Sequence, residues 1–449
     1  MLQRTLDKAI ANHYADSNKA LLLSGARQVG KSFAIRKYAQ SHYEHYIEIN
    51  FLENTQAVSL LQNVHDVKDL LVRLSALSQQ PFVKGKTFIF FDEVQVLPDI
   101  LTWVKFLVEE GSYHYALSGS LLGTCLNDIR SVPVGFLREI SVYPFTFAEF
   151  IQVLGISESV FHHLQECWEQ HTPVDSFIHE KMMQLFRLYL IVGGMPEAIQ
   201  TYIDTNNLQS VWQVQHDIIQ LYRQDISQYD PAHKLYIRDI FDLIPAELNA
   251  QNKRFFLNTI NPNFKFSRYE NNFIWLRDAG VALPAFNVEK PRIPLILNKQ
   301  YNLFKLFQSD VGLLACQYAK GIQAQILNGE TDINYGAIYE NMVAQELHAH
   351  GFDLYYYNSK KNGELDFLVE KDGLVIPIEV KSGKDYTKHS ALSRCLACKD
   401  FHLSHALIFC NGNFQEEADR LYAPIYMITF LEQTSSPAPI IYKMDLSGV

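Results

Sequence analysis

Apolar residues first gather at Leu21–Leu23, a short unbroken run that predicts a buried strand. A glycine-bearing loop follows, and then helical spacing over Phe33 to Ala39. In HYIEINFLEN, Tyr46, Glu48 and Asn50 alternate with Ile47, Ile49 and Phe51, which predicts a second strand. Val58 to Ser78 reads as one amphipathic helix. Thr87–Phe91 is apolar throughout and ends in Asp92-Glu93, the pattern of a parallel strand covered on both faces. Val94 to Glu110 is helical with Pro98 early, and His114–Leu117 is a short strand ending in Ser118-Gly119-Ser120. Strands alternating with helices in this way predict a parallel sheet wrapped by helices.

The middle of the chain is patterned for helices, Phe177 to Val192 and Leu208 to Ile226. Gly193-Gly194 closes the first, and Pro196 opens another helix within GGMPEAIQ. Ile237 to Ile244 reads as a helix ended by Pro245. Arg254–Ile260, Ser267–Ala279 and the strand Gly280–Leu283 then match a winged helix-turn-helix, with Ser267–Asp278 as recognition helix and Arg268 and Arg277 available to phosphates. Tyr269, Phe273, Trp275 and Leu276 look instead like core, and Glu270 and Asp278 would repel DNA, so a structural or protein-contact role competes with DNA binding. Further on, Ala337–His348 is helical, and DLYYYN, GELDFLVE and LVIPIEVKSG are strands, the last two joined by the turn Lys371-Asp372-Gly373. ALSRCLACKDF fits a helix packed on the sheet, and HALIFC a strand.

At 449 residues the chain exceeds one ordinary core, and the pattern divides it into domains at 1–155, 156–330 and 331–449. A hydrophobic share of 48% with 20% charged residues is globular, not disordered. A net charge of −10 speaks against a broadly basic nucleic-acid coat while leaving room for a local basic patch. The six cysteines are scattered, which fits a reducing compartment. With no signal-peptide pattern and no apolar run long enough to cross a bilayer, a soluble cytoplasmic protein without a membrane partner is expected.

The chemistry centres on GARQVGKS, in which Gly25, Gly30, Lys31 and Ser32 fit the phosphate-loop spacing between a strand and a helix. Glycines let successive amides turn inward to an anion, and the helix that follows adds its positive end. Lys31 supplies charge to the β and γ phosphates, and Ser32 offers a hydroxyl to Mg²⁺. ATP is therefore expected against Gly25, Ala26, Arg27, Gln28, Val29, Gly30, Lys31, Ser32 and Phe33. Open α/β sheets bind ligands at strand C-termini, which places Asp92 to hold Mg²⁺ and Glu93 to polarise the attacking water. Ser118 or Ser120 could sense the γ-phosphate, although a serine-rich turn accounts for them as well.

A second constellation lies near the C-terminus. Glu364 and Asp366 share one strand face, Glu379 and Lys381 share a face of the next, and the hairpin brings Asp366 and Glu379 together beside Lys381. Two acids can hold a divalent metal and a lysine can stabilise a phosphorane; cross-strand ion pairing is the plainer reading. Cys395, Cys398, His402 and His405 have the composition of a zinc site, but their spacing is too short for a finger.

GARQVGKS, FFDEVQVLPDI, LSGSLLG and VGFLREISVYPFTFAEF together resemble the ATPase domain of a prokaryotic AAA-type family that carries a C-terminal domain of unknown function. The resemblance implies a P-loop NTPase sheet, then a helical and winged-helix-like region, then an α/β domain. It matches Gln95 to the family's glutamine after the acidic strand, and Ser118 or Ser120 to its strand-end serine. Where the family often has Arg or Lys after the glycine of VG, this chain has Phe136, and the nearest arginine is Arg138; without a cationic trigger, turnover is expected to be slow. The last domain resembles the PD-(D/E)xK nuclease core, with Glu340, Asp366 and Glu379 as ligands of Mg²⁺ or Mn²⁺ and Lys381 beside them. These resemblances imply an ATPase whose nucleotide state controls a nuclease-like, DNA-binding or protein-binding domain, in a chain that could form a homo-oligomer. The alternative is a nucleotide-gated adaptor with an inactive nuclease fold.

Overall fold

The computed structural model describes residues 2, 4–120, 135–229, 234–250, 253–255, 273, 275–318, 321–329, 335–383, 385–433 and 444. Two compact units emerge. The first comprises Met1–Ser157, Leu185–Pro284 and Leu306–Glu330; the second comprises Glu158–Gln184, Ala285–Lys305 and Thr331–Val449.

The first unit is built on a five-stranded, wholly parallel sheet of β1 (Ala20–Ser24), β2 (His45–Asn50), β3 (Thr87–Asp92), β4 (His114–Gly119) and β5 (Leu137–Ser141), in the order β2-β3-β4-β1-β5. The unbroken apolar run of β3 is explained by its place inside the sheet, where every residue from Thr87 to Asp92 is buried. Ile47, Ile49, Phe91 and Leu117 meet Leu70, Leu74, Ile100 and Val104 from the helices in one core.

Several elements differ from the sequence expectation. Val58–Ser78 is two helices, Thr55–Leu61 and Val67–Leu77, because the Asn54 and Asp66 carboxamide and carboxylate oxygens cap Ala57 N and Asp69 N and start the helix twice. Val94–Val96 is a 3₁₀ turn, and the α-helix begins only at Asp99, after Pro98. The helix Lys234–Asn249 runs through Pro245. Its buried stripe, Ile237, Ile240, Phe241, Ile244 and Leu248, continues past the proline, so packing outweighs the hydrogen bond that proline removes.

The second unit carries a mixed sheet in the order β12-β13-β11-β10-β9-β8-β6-β7. Its strands are β6 (Ala282–Val288), β7 (Lys299–Gln308), β8 (Tyr355–Ser359), β9 (Gly363–Lys371), β10 (Leu374–Val380), β11 (Ala406–Cys410), β12 (Gln415–Glu417) and β13 (Arg420–Pro424). β9 and β10 form the expected antiparallel hairpin, and β11 then pairs parallel to β10. Most of the expected winged-helix segment, including Arg268, Tyr269 and Glu270, lies outside the described residues. Phe273, Trp275 and Leu276 are buried, as core residues should be. The strand after them joins β8 in the mixed sheet, Phe286 opposite Tyr355. Among the described residues no helix is long and apolar enough to cross a membrane.

Candidate nucleotide site and carboxylate–lysine cluster

The loop from Gly25 to Gly30 joins β1 to the helix Lys31–His42. Gly25, Gln28 and Gly30 have φ of 136°, 66° and 94°, the left-handed curl that turns amides inward. A side chain at Gly25 would overlap the Val142 carbonyl, so only glycine serves there. Lys31 is buried, and its Nζ donates to Gly25 O at 2.8 Å and Ala26 O at 2.7 Å. Burial pushes its ammonium down to about 8, against the pull of the Glu93 and Asp92 charges.

Asp92 is buried at the end of β3. The donors that meet it are neutral: Ser32 Oγ at 2.9 Å, Asn50 Nδ2 at 3.2 Å, Glu93 N at 3.1 Å and the Ser118 hydroxyl. Burial raises its carboxyl above the usual range, and the hydroxyls only partly oppose this. A hydroxyl and a carboxylate left in such surroundings fit a hard divalent cation, which prefers oxygen ligands. Glu93 takes a left-handed backbone, φ 57°, that turns its side chain out of the strand line. Its carboxylate accepts from the Gln95 amide and lies 3.5 Å from Ser120 Oγ.

Around this group opens a cavity of about 730 Å³, within the range of small-molecule sites. Lys31, Ser32, Phe33, Asn50 and Glu93 line it, as do Gly30, Arg27 and Gln28. The hollow lies beside Lys31 and Glu93. Pro196, Glu197 and Gln200, from the helix opened by GGMP, line it too. Arg4 is a wall residue that sequence reasoning missed. It donates to Val29 O at 2.8 Å and Tyr143 O at 2.7 Å and lies over the Phe145 ring. No local motif marks it, because its partners lie far along the chain. Arg138 is not on this wall. It is exposed on β5 opposite Leu21, near the start of β1 and away from the loop end of the sheet.

In the second unit the hairpin register sets Ile378 opposite Phe367, and Asp366 accepts from Val380 N at 2.9 Å. Lys381 Nζ donates to Glu379 Oε2 at 2.7 Å. Burial raises Glu379, and the neighbouring Asp366 charge raises it further. Burial opposes the Lys381 charge, but Glu379 and Asp366 more than offset it and raise the ammonium. Glu340, in the helix Gly336–Ala349, is buried, and its charge acts on both Glu379 and Lys381. Lys305 of β7 also enters the cluster, 2.7 Å from Glu364 and 3.7 Å from Glu340. Its strand is far from the hairpin in sequence, so no spacing rule points to it. Among the described residues no group of three or more His, Cys, Asp or Glu side chains is disposed to hold a metal ion. Cys395 is a buried free thiol in the helix Ser390–Leu396.

Residues 17–151 match a family model described as "AAA domain". Residues 183–325 match "Domain of unknown function (DUF8612)", and residues 335–428 match "Domain of unknown function (DUF4143)". No curated protein matches the chain. Similar solved structures include the Walker-type ATPase paby2304 of Pyrococcus abyssi, at 14% identity over 71% of this chain and 96% of that one, TM-score 0.45. Another is the RuvB Holliday junction branch migration motor of Thermotoga maritima, at 14% identity over 68% and 91%, TM-score 0.29. The Aeropyrum pernix ORC1 protein in complex with DNA is similar at 12% identity over 73% and 94%, TM-score 0.25. The family match falls on the parallel sheet that carries the phosphate loop and its acidic partner strand, and over residues 17–151 the chain is similar to an AAA domain.

Proposed function

We propose that this protein binds ATP·Mg²⁺ in the cavity at the phosphate loop and hydrolyses it slowly. The observation that carries the reading is one cavity lined by Lys31, Ser32 and Glu93, with Asp92 hydrogen-bonded to Ser32 at its edge. The amides of Gly25 to Ser32 receive the phosphates, and Lys31 leaves the carbonyls of Gly25 and Ala26 to meet the β and γ oxygens. Ser32 and Asp92 hold Mg²⁺, which when bound draws charge from the phosphate oxygens. Glu93 orients the attacking water once released from Gln95, and Ser118 and Ser120 keep the two acids in place. Phe33 is half exposed on the cavity wall and suits the base.

In this reading the nucleotide state controls the C-terminal domain, whose hairpin and helix-borne Glu340 support a nuclease-like fold in a cytoplasmic protein that engages DNA or a protein. The adaptor alternative, in which that fold does not cut, gains from the two lysines set against its acids. The experiment is binding of a fluorescent ATP analogue to wild type and Lys31→Ala. Loss of binding in the variant is expected; equal binding contradicts the reading. ATPase rates with and without DNA, on wild type and Glu93→Gln, then separate a DNA-responsive enzyme from a slow switch.

A further inference from the structure

Lys305 is a fully enclosed charge in the second unit. Its side chain has no solvent exposure, and its Nζ lies 2.7 Å from Glu364 Oε1, 3.7 Å from Glu340 Oε2 and 5.0 Å from the centre of the Tyr356 ring. The charge of Asp366 acts on it as well. Its neighbours Phe304, Leu306 and Phe307 are buried, so the strand holds the lysine in place. The acids it meets include two, Glu340 and Asp366, that a nuclease-like core would use for a metal. A third, Glu379, is taken by Lys381 at 2.7 Å.

We infer that Lys305 is a resident cation. Its ammonium fills the place among Glu340, Glu364 and Asp366 that a divalent ion would otherwise take, and the C-terminal cluster does not load Mg²⁺ or Mn²⁺. A divalent ion entering the same shell would face an ammonium with little water between them, and that repulsion is weakly screened inside a protein. It would also have to strip a buried acid of its partner, which leaves an uncompensated charge. The cluster is thus completed from within the chain, and its acids and lysines form a closed ionic core. The inference deepens the adaptor alternative and does not depend on the phosphate loop.

The test is Mn²⁺ binding to the full chain without nucleotide, in an Asp92→Asn background that silences the phosphate-loop acid. Free Mn²⁺ is followed by electron paramagnetic resonance, and stability by thermal melts with and without millimolar Mn²⁺. With Lys305 present, no Mn²⁺ binding sensitive to Asp366→Ala is expected, and the melting temperature stays put. Lys305→Ala opens the seat: about one Mn²⁺ binds, and the melting temperature rises by several degrees because only the folded state holds the ion. Mn²⁺ binding by the Lys305 protein that Asp366→Ala removes would overturn the inference, as would a folded Lys305→Ala protein indifferent to Mn²⁺. Should Lys305→Ala be unfolded alone, folding on addition of Mn²⁺ upholds the inference and failure to fold overturns it. Analogue binding by Lys31→Ala is read separately, so failure of the nucleotide reading leaves this outcome intact.

Discussion

Lys31 is buried among carbonyls before any phosphate arrives, and burial holds its ammonium at about 8. Anionic phosphates would raise that value, so binding takes up a proton wherever the free lysine is partly neutral. The sign follows directly: affinity is flat below pH 8 and weakens above it, by about tenfold per pH unit until the bound-state value is reached. Titration of the ATP analogue from neutral to alkaline pH checks this, and near pH 8 calorimetry in two buffers should register about half a proton taken up. Glu93→Gln should leave binding intact and slow hydrolysis by roughly 10²–10⁴-fold, the range for a lost general base; single-turnover kinetics decides. Arg138→Ala should leave hydrolysis unchanged, because the side chain is exposed near the start of β1 and not on the cavity wall.

Between elements, the corner that opens the wall helix Pro196–Thr205 is tightly constrained. Gly194 N donates to the buried Asp310 carboxylate at 2.5 Å, and Leu313 N donates to it at 2.9 Å. Burial pushes that carboxyl up to about 6, and the amides resist the shift. Gln215 donates to Ile191 O and Val192 O, which closes the end of the preceding helix. Gly194 O in turn accepts from Phe145 N at 2.7 Å, and Phe145 lines the cavity under Arg4. Any side chain at Gly193 would overlap Asp310, at a φ of 69° that disfavours other residues. Gly193→Ala should therefore destabilise the first unit by about 2–4 kcal/mol through strain and overpacking together. A urea melt measures it, and a loss below about 0.5 kcal/mol would show that the corner yields.

At the scale of the molecule the decisive feature is how, among the described residues, the cavity arginines are engaged. Arg4 is bonded to Val29 and Tyr143, Arg27 is paired with Asp225 at 2.7 Å, and Arg36 is bidentate on Glu48. Each would have to leave its partner to reach a transferring phosphate, and Arg138 is elsewhere. Turnover by the dilute chain should therefore be slow, well below about 1 s⁻¹, since supplied arginines contribute 10³–10⁵-fold in related chemistry. A faster rate at concentrations where solution mass shows a monomer would contradict this.

Local rules reached as far as local causes extend. The phosphate loop was legible because its glycines, lysine and serine act within one turn of chain. The fully apolar β3 was legible because a strand covered on both faces has no room for polar residues. The hairpin carrying Asp366 and Glu379 was legible from alternation and a tight turn. Other features answer to partners distant in sequence. Packing carried a helix through Pro245, and sheet register set Arg138 away from the loop, whereas the caps that split Val58–Ser78 act within three residues. Arg4 on the cavity wall and Lys305 among the acids have no neighbouring pattern to announce them, since each is placed by contacts with residues tens of positions away. The chain's own order thus determined which chemical groups exist and how each strand and loop presents them. Only tertiary packing decided which charges meet, because that depends on which surfaces bury one another.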